Sequence, residues 1–111
     1  MIDLIRDNLN RIRELCEQHH VQRLDVFGSA ADGRFREGES DVDLLVEFEP
    51  VHWEVRADSY FELLSALQGL LDREVDLVTK PPPERRNPYF WRSVERHREV
   101  IYDRAGEQVP V

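Results

Sequence analysis

The residues best suited to chemistry lie between positions 27 and 46: Phe27-Gly28-Ser29, then eleven residues, then Asp41-Val42-Asp43. Gly28-Ser29 closes an apolar stretch that reads as a strand and opens a helical turn. At such a place backbone N–H groups lack helix partners and the dipole end is positive, which suits a phosphate. Gly28 lets the backbone come close, and the Ser29 hydroxyl can donate to a phosphate oxygen. Asp41 and Asp43 are two apart at a strand start, so both carboxylates leave the same face. Without a cation they repel, and one tends to keep its proton. A divalent cation relieves that repulsion, and hard oxygen ligands at this spacing suit Mg²⁺ (or Mn²⁺) held by a few carboxylates plus substrate phosphates. Asp76 leaves the face of a later strand opposite to Val75 and Leu77. With strand 74–79 beside strand 42–48, the three carboxylates share one patch. Three acids, a phosphate-binding turn and no nucleophilic Cys or Ser–His pair point to metal-assisted attack on a nucleoside triphosphate. Singly, each piece is commonplace. Gly-Ser carries almost no information, Asp-x-Asp is often a solvated strand end, and Asp76 reads equally as a solvent-facing strand position. Their joint occurrence is the signal.

Composition narrows the setting. At 111 residues the chain is one domain by length. It carries 15 Lys+Arg against 23 Asp+Glu, a net charge of −8. Such an acidic chain repels phosphate backbones, so direct nucleic-acid binding is not expected. No run of about 18 apolar residues exists to span a membrane. The opening MIDLIRDNLNRI is interrupted by Asp3 and Asp7 and does not read as a signal peptide. Cys16 is the single cysteine, which excludes a disulfide framework and a multi-cysteine zinc site. The expectation is a small cytoplasmic domain.

The elements that must position the acids follow from periodicity. Ile5, Leu9, Ile12 and Cys16 predict one amphipathic helix over 3–19, capped by Asp3. Leu24 and Val26 mark a strand over 22–27. A polar loop through Gly33 and Gly38 leads to strand 42–48, in which Val42, Leu44, Val46 and Phe48 alternate with Asp43, Leu45 and Glu47. A helix over 57–71 has a stripe of Phe61, Leu64, Leu67 and Leu71, and residues 74–79 form a third strand. Pro81–Pro83 predicts an extended segment. Asn87-Pro88 starts a helix of about ten residues, and Val100–Tyr102 a last short strand. The order gives an α+β fold, a short mixed sheet with helices packed on one side. The domain is expected to cover residues 1–103, with 104–111 as a flexible tail.

With these residues in hand, FGSAADGRFREGESDVDLLVEF resembles the Gly-Ser…Asp-x-Asp signature of the DNA polymerase β-like nucleotidyltransferase superfamily. YFELLSALQGLLDREVDLVT and NPYFWRSVERHREVIYD are similar to its minimal single-domain members, the MntA-type antitoxin partners of HEPN-domain toxins. The resemblance implies the nucleotidyltransferase fold, with Gly28 and Ser29 holding the triphosphate of ATP. It implies that Asp41 and Asp43 bind Mg²⁺, while Asp76 completes the metal site and helps activate an acceptor hydroxyl. It further implies that the acceptor is a tyrosine of a HEPN ribonuclease toxin, silenced by AMP. The chain departs from the pattern twice. The spacer from Ser29 to Asp41 is one residue longer than the commonest form, which predicts a bulge around Arg36–Glu39. Asp32 stands where many members carry an arginine, leaving Arg34 or Arg36 to replace that phosphate contact.

Two other readings compete: transfer to a small hydroxylated molecule, and a non-catalytic domain that neutralises a toxin by binding alone. Intact Asp41, Asp43 and Asp76 argue against the latter. Cys16, His19 and His20 resemble a metal cluster, but Cys16 lies on the apolar stripe, and histidines at a helix end suit its dipole. Lys80 reads as a solvated strand end. Tyr89, Phe90 and Trp91 cannot all face one small core, which leaves one of them to face a partner.

Overall fold

The computed structural model describes residues 1–36 and 39–105. Four strands form one sheet in the order β3-β2-β1-β4: β1 (Val21–Phe27), β2 (Val42–Phe48), β3 (Val75–Thr79) and β4 (Glu99–Asp103). β1 runs antiparallel to β2 and β4, while β2 and β3 are parallel. A parallel pair needs a crossover, here α4 (Trp53–Leu71). The sheet is mixed, as the element order requires.

Alternation along β2 decides the layers. Val42, Leu44 and Val46 are buried against Ile5 of α1 (Asp3–Asp7), Ile12 of α2 (Leu9–Gln18), and Leu63 and Leu67 of α4. The opposite face is not wholly bare. There, Phe27, Leu45 and Val78 meet Trp91 and Val94 of α5 (Pro88–His97). The helices thus pack mainly on one face, as expected, and α5 is the exception. Leu45, grouped in sequence with the polar side of β2, is what α5 covers.

Local departures have local causes. The predicted helix over 3–19 divides at Asn8 (φ −112°, ψ 14°), whose side-chain amide donates to the Leu4 carbonyl at 2.8 Å and competes with the helix ladder. Asp3 does not cap; Ile2 is the extended residue before α1, and Asp3 pairs with Arg6 at 3.2 Å. α4 starts four residues before its predicted position of 57, because His52 caps it, Nδ1 accepting from the Glu54 N–H at 3.3 Å. Its buried side is Ser59, Leu63, Leu67 and Leu71, so Phe61 points to solvent at 66% exposure. Pro82 is extended, but Pro83–Arg85 closes a 3₁₀ turn. Asn87 caps α5 as predicted, accepting from Tyr89 and Phe90 N–H. Residues 37–38 and 106–111 lie outside the described residues; among them fall part of the predicted loop bulge and most of the predicted tail.

One charge on the α5 face is buried. Asp25, 1% exposed, accepts from Arg23 Nε at 2.9 Å and lies 3.3 Å from Arg98 Nε, just past the end of α5. Arg98 also meets Glu95 of α5 at 3.1 Å. This network fastens the helix end to β1. Asp25→Ala strands two partly buried guanidiniums and should destabilise the fold by about 3 kcal/mol in urea unfolding; a loss below about 0.5 kcal/mol would show the network to be idle.

Candidate active site

The site grows from one register line. Phe27 pairs with Asp43 across β1–β2, and Asp43 pairs with Asp76 across β2–β3. Asp43 and Asp76 therefore leave neighbouring strands side by side, on the face opposite the main core. Asp41, two residues before Asp43, precedes β2 on the same alternation. Two α4 side chains hold β3 on either side of Asp76. The Tyr60 hydroxyl donates to the Leu77 carbonyl at 2.6 Å, and the Gln68 side-chain oxygen accepts from the Val75 N–H at 3.3 Å.

Directly after Phe27 the chain turns at Gly28, with φ 67° and ψ −149°, a region essentially reserved for glycine. A Cβ there would lie 2.5 Å from Asp43 Oδ2. The bare Gly28 backbone is what allows the turn to lie against the carboxylate. Ser29–Asp32 then forms a single helical turn, α3, ended by Gly33 in the left-handed region. Ala31 and Asp32 N–H donate to the Gly28 carbonyl, both at 3.0 Å, and helix geometry leaves Ser29 and Ala30 N–H without partners inside the turn.

The acids are electrostatically coupled. Asp43 is half-buried, and its carboxyl is pushed up to about 6, first by burial, then by Asp76, then by Asp41. Asp41 and Asp76 are exposed. Among the described residues no three His, Cys, Asp or Glu side chains stand ready-grouped for a metal. The donor set nevertheless fits Mg²⁺: all ligands are hard oxygens, they repel one another without a cation, and Mg²⁺ takes few carboxylates and completes its shell with phosphates and water.

The two candidate arginines part company. Arg34 borders the cleft, but Asp32 holds its guanidinium through Nη2 at 2.6 Å and Nε at 2.9 Å. That pairing, above all, keeps the Asp32 carboxyl below the usual carboxylate range. Arg36 does not border the cleft; its N–H donates to Ser40 Oγ, and its carbonyl accepts from Glu39 and Ser40 N–H. Arg36 thus lies outside the cleft lining, as do Ser29, Asp41 and Asp76.

What sequence reasoning missed is the other wall. A cleft of about 600 Å³ lies between Gly28, Asp32 and Asp43 on one side and Phe90, Ser93, Arg96 and His97 of α5 on the other. Phe90, Ser93, Val94 and His97 follow helical spacing and share one stripe. That stripe was visible in sequence, but nothing there said it would face the acids. Phe90 packs edge-on to Phe27 at 6.4 Å. Tyr89 is 77% exposed and Trp91 is buried, so the three aromatics do divide. Cys16 is buried, its thiol pushed up to about 12 chiefly by burial, and His19 meets Glu62 at 3.6 Å. Lys80 approaches Glu95 at 4.0 Å.

Comparison with known proteins agrees with this geometry. The family model for the nucleotidyltransferase domain matches residues 9–101. The chain is 34% identical over 102 residues to a Methanocaldococcus jannaschii protein assigned as a protein adenylyltransferase, covering 85% of this chain and 96% of that one. It is 41% identical over 68 residues to the protein adenylyltransferase MntA of Thermococcus cleftensis, covering 61% and 65%. Among solved structures, one described as a minimal nucleotidyltransferase matches with TM-score 0.68 and 34% identity over 87% of this chain and 92% of that one. A toxin–antitoxin complex with AMP-PNP shares the fold at TM-score 0.61 and 24% identity, over 86% and 73%. No helix of the described residues is long and apolar enough to cross a membrane.

Two outcomes follow from the Gly28–Asp43 contact. Gly28→Ala should cost about 1–3 kcal/mol in urea unfolding from backbone strain alone and displace the Asp43 carboxylate; wild-type stability would contradict the contact. Asp43 holds its proton to higher pH when folded than when unfolded, so stability should fall as pH rises from about 4 through about 6. Asp43→Asn should remove that fall. With metal chelated, the variant should be more stable than wild type above pH 6 by about 1 kcal/mol, since solvent screens a half-buried group. The two should converge below pH 4.

Proposed function

The chain belongs to the nucleotidyltransferase-domain family, and from that premise we propose that it transfers AMP from ATP to a tyrosine hydroxyl of a HEPN-domain ribonuclease toxin, acting as its antitoxin. The observation that carries the reading is the register pair Asp43–Asp76, with Asp41 beside it and Gly28 packed on Asp43. Burial first, then Asp76 and Asp41, pushes the Asp43 carboxyl up to about 6. A divalent cation on Asp41 and Asp43 would supply the missing charge and offset that of the phosphates.

The residues then divide the work. The Gly28–Ser29 turn offers backbone N–H groups and a hydroxyl to phosphate oxygens. Asp76, exposed beside Asp43, would help complete the metal site and activate the incoming hydroxyl by accepting its proton. The acceptor oxygen attacks the α-phosphorus, pyrophosphate leaves from the opposite side, and AMP remains on the acceptor oxygen. Such displacement needs the hydroxyl held about 3–3.5 Å from phosphorus. Asp41 and Asp76 are both exposed, so the acceptor side of the patch is open to a docked macromolecule. Relatives named as protein adenylyltransferases support a protein acceptor over a small one. The acidic chain, at net −8, complements the basic surface that an RNA-cutting partner requires.

Co-expression with the cognate HEPN protein, followed by intact-mass measurement, tests the reading. The partner should gain the mass of one or more AMP groups, and Asp41→Asn/Asp43→Asn should abolish the gain while leaving the antitoxin folded. Neutralisation by that double variant with no added mass would establish binding alone; modification of a small hydroxylated compound but not the partner would establish a small-molecule acceptor.

A further inference from the structure

We infer that the last turn of α5 forms the triphosphate side of the nucleotide site, with Arg96 as the cation that meets the β- and γ-phosphates. The inference rests on the nucleotidyltransferase reading and adds a residue to it. The starting point is the negative charge that a nucleotide would bring to the cleft. Asp43 and Asp32 border it, and Gly28, where the resemblance puts the triphosphate, borders it too. The cation closest at hand on the α3 side, Arg34, is committed to Asp32 by two short hydrogen bonds. Arg36 does not border the cleft.

Across the cleft the situation is reversed. Arg96 borders the same space as Gly28 and Asp43, is exposed, and makes no ion pair among the described residues. Its neighbour Arg98 is consumed by Asp25 and Glu95. Arg92, also on α5, does not border the cleft. His97 follows Arg96 in the same wall, near enough to Asp32 to favour its ionised form. The C-terminal end of α5 therefore lies over the Gly28–Asp32 turn, where the resemblance puts the triphosphate. Asp25, through Arg98, holds that end in place. Arginine suits the task, since its planar fork can give two hydrogen bonds to one phosphate. A cation in the last turn of a helix also serves the helix dipole, and the experiment separates the two roles.

Titration calorimetry with ATP and with AMP, both with Mg²⁺, on wild type, Arg96→Ala and Arg96→Lys decides. AMP lacks the β- and γ-phosphates, so a phosphate-binding Arg96 predicts a loss confined to ATP. Arg96→Ala should weaken ATP by about 10- to 100-fold, the loss of a charge-assisted hydrogen bond or two, and change AMP less than twofold. Arg96→Lys should recover part of the affinity. Unchanged ATP binding in Arg96→Ala, or equal losses for ATP and AMP, would overturn the assignment while leaving the family reading intact. Wild-type protein that binds no ATP would overturn both.

Discussion

The site hangs on a backbone carbon packed against a carboxylate. Gly28 can lie against Asp43 because it has no side chain and because its φ of 67° is open to glycine. That single contact sets where the Ser29–Asp32 turn begins relative to the acids on β2. Register then does the rest. Asp43 faces Asp76 across parallel strands, and burial first, then the like charges of Asp76 and Asp41, raises the Asp43 carboxyl to about 6. The cost of holding these acids together is a feature of the unliganded site that a cation and its phosphates can relieve.

The second dependency is the open face of the sheet. Helices α1 to α4 bury one face, and among the described residues α5 crosses the other, seated by Trp91 and Val94 on Phe27 and Leu45. Its end is tied to β1 by the buried Asp25 through Arg98. One small helix thus acts both as partial cover for the sheet and as the second wall of the cleft. The pairing of Asp32 with Arg34 on the first wall makes that second wall the place where free positive charge remains.

Much of this was legible in the sequence. The alternation of β2 fixed its burial and the facing of Asp43, since one face of a strand must be apolar. Gly28 and Ser29 were readable from their position between a strand and a helical turn. Asn87-Pro88 marked the start of α5 through capping chemistry. Other features were hidden for physical reasons. Asn8 breaks a helix by a side-chain bond that periodicity does not register. Phe61 lay on a plausible stripe, yet the true buried stripe runs through Ser59, Leu63, Leu67 and Leu71, because the crossover sets the rotation of α4. Asp25 reads as an ordinary polar strand position until Arg23 and Arg98 are seen around it. The roles of Ser93, Arg96 and His97 depend on which sheet face α5 covers, a tertiary fact that no local pattern contains.

The claim on which all of this converges is that the Asp43 carboxylate, compressed between Gly28 and its acidic neighbours, is a metal–nucleotide ligand. Carbon-detected NMR titration of Asp43 in labelled protein addresses it without any partner. In the metal-free protein the carboxyl should titrate near 6. Adding Mg²⁺ with a non-hydrolysable ATP analogue should drive that midpoint below the ordinary aspartate value of about 3.9. A midpoint that stays near 6 with metal and nucleotide at saturating concentration would contradict the account.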